Sequence, residues 1–365
     1  MPSTETPDLV ARADELGFDS AWFIDSPMMF GDVYVSMGLA AARTSNITLA
    51  TGVTNPVLRL APLTASALAS LNALAPGRIV MGIGTGYTAT GALDLPVAKH
   101  ATLRRYVDEV RGLLAGEDVI VEYADGNSRY AGFVAKEYPG INVKDPVVVC
   151  VAAAGPKLLH AAAKYADMIL LGGVSDPTLV RAAVDIIRTS RIEAGLEPDG
   201  VRVAATPSAY LTDRDVDLRD PTDFEQLREL LGPKSLSPAG NFSRLAEQSP
   251  AVSDDIRRDF VAVRGAYGPD TVTDGDPATW HIRRYRGYMQ SLSDEQRQLV
   301  TPALLRGTTI CGSARQCIDQ IDELHEAGLD EVVLSPLTQH THTVIEGFGG
   351  QVVGAVRASE GHNGP

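Results

Sequence analysis

From Thr6 to Leu334, short runs rich in β-branched residues alternate with stretches whose apolar positions recur every three or four residues. That alternation predicts parallel strands joined by crossover helices, an α/β architecture. The first helix is expected to use Thr6 as N-cap with Pro7 in its first turn, to turn Leu9, Val10, Ala13 and Leu16 inward, and to stop at Gly17. Strands are predicted at 20–25, 47–51, 78–83, 147–151, 168–171, 201–205 and 331–334. Between them fall a helix at 33–43, one with Leu63, Ala67, Leu68, Leu71 and Leu74 inward, one at 103–114, one from Pro156 and one after the Asp176-Pro177 cap. The closing helix opens on a Ser313/Gln316 capping box, faces Ile318, Ile321 and Leu324 inward and ends at Gly328.

Two stretches break the rhythm. Residues 116–145 are polar, with Gly and Tyr, and read as an ordered loop or a small hairpin. Residues 213–300 are charged and punctuated by Pro221, Pro233, Pro238, Pro250 and Pro269, which predicts a helical insertion over the mouth of the fold. The whole of 1–365 is then one (β/α)8 TIM-type barrel domain carrying that insertion. The pattern supplies seven clear strands, and the five residues before Thr6 leave little room for another, so the first strand is expected to be short or missing. There is no internal repeat, and the Gly- and Ser-containing tail after Ala358 is expected to fray.

Charge removes some partners. Acidic residues outnumber basic ones 46 to 32, a net charge of -14, whereas binding nucleic acid needs a Lys/Arg surface. Three cysteines, Cys150, Cys311 and Cys317, are too few and odd in number for a disulfide framework. With neither a signal-peptide pattern nor a stretch of membrane-spanning length, a cytoplasmic location and no membrane partner are expected.

In β/α barrels the chemistry sits on loops after the C-terminal ends of the strands. Here those loops are 25–27, 51–56, 82–87, 152–156, 172–175, 207–208 and 335–342, and most of them are glycine, alanine and other small residues. One glycine-rich turn is only a tight turn; several together let a large planar ligand lie against the main chain, with N–H groups free for phosphate. The G-x-G-x-G at 82–86 lacks the spacing and the following acid of a dinucleotide fingerprint. Asp25 ends an apolar strand, where a carboxyl must be hydrogen-bonded or set against a ligand. Tyr87 either meets substrate or covers a ring edge, and His340 and His342 either face the mouth or belong to a solvated loop. The two histidines lack converging further ligands, so no metal is expected. None of the lysines, Lys234 included, ends a predicted strand, which argues against Schiff-base chemistry.

The segments GFDSAWFIDSP, LATGVTNP, APGRIVMGIGTG, VAAAGPKLLHAAAKYADMILLGG and AGLDEVVLSP resemble the bacterial luciferase-like superfamily over nearly the whole chain, most closely the branch of methylenetetrahydromethanopterin reductases. The resemblance implies a flavin- or deazaflavin-dependent oxidoreductase using reduced FMN or coenzyme F420. It implies a non-prolyl cis peptide at Gly52-Val53 whose bulge backs the isoalloxazine ring, with Asp25, Thr51, Thr85 and Gly86 lining the ring and Asn55 also among the cofactor-binding candidates. Ala153, Ala154, Gly155, Gly172 and Gly173 then lie nearer the ribityl phosphate, and a homodimer is implied.

The sugar-phosphate dehydrogenases of this superfamily carry a histidine after the strand-end aspartate and a glutamate after GTG, where this chain has Ser26 and Tyr87. That departure tilts expectation toward a two-component monooxygenase, with Asp25, Tyr87, His340 and His342 as candidate catalytic residues. A separate flavin reductase would supply the reduced FMN, and a small organic molecule would be oxidised. Alternatives are F420-dependent hydride transfer and a flavin-binding barrel without turnover.

Overall fold

A computed structural model of the chain describes residues 4–123, 126–266 and 275–360. Pro269 and the end of the C-terminal tail lie outside the described residues. The chain divides into two compact units, 1–152 and 153–365.

The first unit runs α1 (Thr6–Glu15), β1 (Ser20–Phe23), α2 (Val33–Ala41), β2 (Thr48–Thr51), α3 (Ala61–Leu74), β3 (Ile79–Ile83), α4 (Tyr87–Gly91), α5 (His100–Leu114), β4 (Val119–Glu122), β5 (Ser128–Ala131) and β6 (Val148–Ala152). Strands β1, β2, β3 and β6 form a parallel row in that order, with Phe23 opposite Thr51, Ala50 opposite Val80 and Gly82 opposite Cys150. Every residue of β3 is buried, as a parallel strand covered on both faces requires.

Local details differ from expectation for identifiable reasons. Helix α1 has Glu5 at its N-cap position with no side-chain cap bond, Thr6 as its first residue and Pro7 buried; it ends at Glu15, and just beyond it Gly17 takes φ +83° while Phe18 N–H donates to the Ala13 carbonyl. The buried face of α3 is Ala61, Thr64, Ala65, Leu68, Ala69, Leu71 and Asn72, whereas Leu63 and Leu74 are exposed. Small residues let that helix approach the strands closely, so leucine positions alone misplace its inner face. The excursion after α5 is the antiparallel hairpin β4/β5, with Val119 opposite Ala131. Past the hairpin, Asn142 ties the excursion to α3: its N–H donates to Ala69 O and its Nδ2 to Asn72 O at 2.9 Å.

The second unit runs α6 (Pro156–Ala162), β7 (Met168–Leu170), α7 (Pro177–Glu193), β8 (Arg202–Ala205), β9 (Ser208–Leu211), α8 (Pro221–Leu231), α9 (Leu236–Gln248), α10 (Asp254–Ala266), α11 (Trp280–Arg284), α12 (Asp294–Leu299), α13 (Pro302–Thr308), β10 (Thr309–Gly312), α14 (Ala314–Glu326), β11 (Glu331–Val332), α15 (Thr341–Phe348) and α16 (Gly354–Glu360). Here β7, β8 and β11 form a parallel row. A separate parallel pair, β9 with β10, flanks the insertion and has no counterpart in the predicted strands. The rows thus hold the seven strands read from sequence, and the described residues add no eighth to either.

The insertion is helical as expected, spanning α8 to α12, with Phe242 of α9 and Phe260 of α10 wholly buried. Helix α14 has both halves of its capping box, yet of its expected inward residues only Leu324 is buried; Cys317 joins it and the two isoleucines are partly exposed. All three cysteines are buried and free, and burial pushes the thiols of Cys311 and Cys317 up to about 11 and about 12, which makes them poor nucleophiles. Among the described residues no helix is long and apolar enough to cross a membrane.

Candidate functional site

The C-terminal ends of β1, β2 and β3 are knitted together by main-chain hydrogen bonds and one from a side chain. Gly52 N–H donates to Phe23 O at 2.6 Å, the Thr51 hydroxyl to Gly82 O at 2.7 Å, and Thr54 N–H to the same carbonyl at 2.8 Å. Gly84 N–H then returns to Thr54 O at 2.9 Å, so β2 and β3 re-pair beyond the Gly52-Val53 step. That step is a cis peptide bond, as the resemblance implied. The glycines around it are there for space. A Cβ on Gly82 would lie 2.0 Å from Thr51 O, and one on Gly84 would lie 3.1 Å from Val53 Cγ2. Gly86, at φ +95°, precedes α4 and leaves no room for a side chain against Thr90 and Asn55.

Around this scaffold sits an unusual set of buried polar groups. Asp25 and Ser26 follow β1, each 7% exposed, and Thr51, Thr54 and Asn55 are at most 1% exposed. Asn55 Oδ1 accepts from Val57 N–H and Leu58 N–H, both at 3.1 Å, but its Nδ2 has no partner. The Thr54 hydroxyl and the phenol of Tyr34 are likewise buried without a hydrogen bond. Each such group costs on the order of 1–3 kcal/mol until something satisfies it. Among the described residues these three come from the same corner of the first unit as Asp25.

Electrostatics sharpen the picture. Burial raises the pKa of Asp25; the nearby Thr54 hydroxyl and the Arg59 charge oppose that rise, and Asp32 adds to it. Thr54 acts here by proximity, since its hydroxyl makes no hydrogen bond of ordinary geometry. The phenol of Tyr34 is also raised by burial, with Thr54, Thr64 and Asp25 among the groups that act on it. Arg59 stacks over the Tyr34 ring at 4.3 Å and pairs with Asp32 at 3.1 Å, while Tyr106 and Thr64 share a hydrogen bond of 2.6 Å behind them. Tyr34, Thr64 and Tyr106 lie on α2, α3 and α5, where sequence periodicity shows only helix interior; nothing in the linear pattern marks them.

The remaining sequence candidates divide. Thr85 is partly exposed and Tyr87, at the start of α4, is 46% exposed. In the second unit Ala153 is buried, with its N–H bonded to Leu170 O, and Ala154 and Gly155 lead into α6. Gly172 and Gly173 are accounted for by packing: a Cβ on Gly173 would lie 2.6 Å from Pro238, and Gly172 holds φ +76° beside Phe242. His340 is partly buried, edge-on to Tyr210 with ring centres 5.6 Å apart, whereas His342 is exposed. Lys234, set aside in the sequence, is 8% exposed and donates to the hydroxyl of Ser335 just past β11.

Three known proteins are similar to this chain. The chain is 27% identical over 353 residues to the 5,10-methylenetetrahydromethanopterin reductase of Methanolobus tindarius, covering 94% of this chain and 93% of that one. It is 29% identical over 253 residues to the F420-dependent glucose-6-phosphate dehydrogenase of Beutenbergia cavernae, covering 60% of this chain and 74% of that protein. Its fold matches the coenzyme F420 dependent tetrahydromethanopterin reductase of Methanopyrus kandleri with a TM-score of 0.69 at 22% identity, over 98% of this chain and 96% of the other. The profile of the luciferase-like monooxygenases matches residues 1–331, and the chain therefore belongs to that family of flavin- or F420-dependent oxidoreductases.

Proposed function

We propose that the protein is an F420-dependent oxidoreductase that moves hydride between the cofactor and a carbon of a small organic substrate. The observation that carries this reading is the set of buried, unsatisfied polar groups, Thr54 Oγ1, Asn55 Nδ2 and Tyr34 OH, gathered with Asp25 at glycine-lined strand ends. A planar ring bearing alternating carbonyl and N–H groups fits such donors and acceptors. F420 is favoured over FMN by the relatives, which include 5,10-methylenetetrahydromethanopterin reductases and F420-dependent glucose-6-phosphate dehydrogenases. The bound deazaflavin would supply the hydride chemistry, and the protein binding, orientation and exclusion of water.

The residues divide that work. Asn55 Nδ2 donates, Thr54 donates or accepts, and Asp25 offers a carboxyl whose proton is retained to higher pH by burial. Gly52 and Gly84 leave main chain without side-chain bulk beside these polar groups, where the ring face would lie. Ser26 and Tyr87 stand where the sugar-phosphate dehydrogenases carry their acid/base pair, so glucose 6-phosphate is not the proposed substrate.

The test is an anaerobic titration of the purified protein with F420, FMN and reduced FMN, repeated on Asn55→Ala and Asp25→Asn, followed by admission of air. F420 is expected to bind preferentially, to bind about tenfold or more weakly in each variant, since one charge-assisted or buried hydrogen bond is at stake, and to consume no oxygen. Preferential binding of reduced FMN with oxygen uptake would replace this reading with the two-component monooxygenase. Binding of no cofactor would leave a barrel without turnover.

A further inference from the structure

The strongest unexplained group is Lys234. It lies in the single 3-10 turn 232–234 between α8 and α9, inside a run, 231–236, that is buried without interruption. Its Nζ donates to Ser335 Oγ at 3.1 Å, and among the described residues no carboxylate pairs with it. An ammonium has three N–H donors and a full charge; one neutral hydroxyl satisfies neither. Burying a cation this way costs several kcal/mol, a cost that apolar side chains of similar size avoid. Burial is also the one cause that pulls its pKa down, so no neighbouring charge compensates.

Its place in the fold is informative. Ser335 follows the C-terminal end of β11, and its N–H donates to Pro207 O at 2.9 Å, just past β8. The next residue, Ser208, has a hydroxyl that is buried with no hydrogen-bond partner. Lys234 thus bonds to Ser335, and Ser335 bonds in turn to the residue before the orphaned Ser208 hydroxyl, at the kind of strand end where β/α proteins bind ligands.

We propose that Lys234, with the hydroxyl of Ser335, forms a binding point for one oxyanion group, carboxylate or phosphate, of a small-molecule ligand. An oxyanion supplies the missing negative charge and accepts the spare ammonium protons together with the serine hydroxyl, giving charge-assisted hydrogen bonds. Recognition of this kind selects acidic over neutral ligands, because a neutral analogue leaves the cation buried and unpaired. The inference is independent of the cofactor: the polar set assigned to the ring lies wholly within residues 1–152, and the test uses no cofactor.

The experiment is calorimetric titration of the wild-type protein, Lys234→Met and Ser335→Ala with acetate and with inorganic phosphate, at constant ionic strength and neutral pH, with acetamide as the neutral control. Wild type is expected to bind acetate or phosphate saturably and acetamide not at all. Lys234→Met is expected to lose about tenfold or more in affinity, and Ser335→Ala a smaller factor. The anion that binds more tightly identifies the group. Absence of saturable binding to wild type, or equal binding in wild type and the variants, overturns the proposal. If Lys234→Met does not fold, Ser335→Ala decides: undiminished binding there overturns it too.

Discussion

The ammonium of Lys234, which burial pushes down to about 8, ties the stability of the protein to pH in a definite direction. Below about pH 8 both the folded and the unfolded chain hold the proton, and the folded state bears the full cost of the buried charge. Between there and the ordinary lysine value the unfolded chain binds more protons, so stability rises with pH, by up to about 3 kcal/mol from this group. Lys234→Met removes the charge while keeping an unbranched side chain. It is therefore expected to be more stable than wild type at pH 7, with the gap closing as pH approaches 10. Urea unfolding of both proteins across that interval checks this, and a gap independent of pH would show that the lysine is not held as a buried cation. A stabilising loss of a charged side chain would also mark Lys234 as kept for binding, since a structural lysine should destabilise when removed.

At the scale of elements, the junction of β2 and β3 depends on two glycines with different duties. A methyl on Gly82 would meet the carbonyl oxygen of Thr51 at 2.0 Å, a fixed Cβ against a backbone atom, and nothing there can rotate away. A methyl on Gly84 would meet Val53 Cγ2 at 3.1 Å, a side-chain contact that can give by a few tenths of an ångström. Gly82→Ala is thus expected to cost about 2–3 kcal/mol of stability, within the range for overpacking, and Gly84→Ala less than about 1 kcal/mol. Because Gly84 packs against Val53 beside the ring site proposed above, its variant is expected, on that reading, to weaken cofactor binding instead. Thermal unfolding beside cofactor titration separates the two, and equal stability losses would refute the distinction. The strands themselves were legible because buried parallel strands are β-branched runs that end abruptly at Asp25, Thr51 and the Gly82–Gly86 loop. The pair β9/β10 was not: Ser208–Leu211 follows Pro207 at once, and Thr309–Gly312 runs straight out of α13, so neither four-residue strand has a turn to announce it. The candidate site was half legible for the same reason. Asp25, Thr51 and Asn55 sit at strand ends, whereas Tyr34, Thr64 and Tyr106 look like helix interior, and Lys234 is hidden in a proline-broken insertion whose folding depends on tertiary contacts.

For the whole molecule the governing quantity is charge. At -14 the chain repels itself, and most of its ion pairs, among them Arg43–Asp8, Arg188–Asp199 and Arg297–Glu229, join side chains that are substantially exposed. Pairs of that kind contribute about 0–1 kcal/mol each and weaken with salt. The two effects have opposite signs: salt screens the net repulsion, which stabilises the fold, and screens the pairs, which destabilises it. Repulsion acts between all the surplus carboxylates, whereas each pair offers little to lose, so repulsion should win. Raising sodium chloride from about 10 mM to about 200 mM shortens the screening length from about 30 Å to below 8 Å. The melting temperature is then expected to rise by about 1–2 °C, equivalent to about 1 kcal/mol for a chain of this size. Scanning calorimetry at the two salt concentrations reads this directly. A fall in melting temperature would mean that the Arg–carboxylate pairs act together as networks, and the first place to look would be Arg297, which bridges Glu229 of α8 and Asp294 of α12.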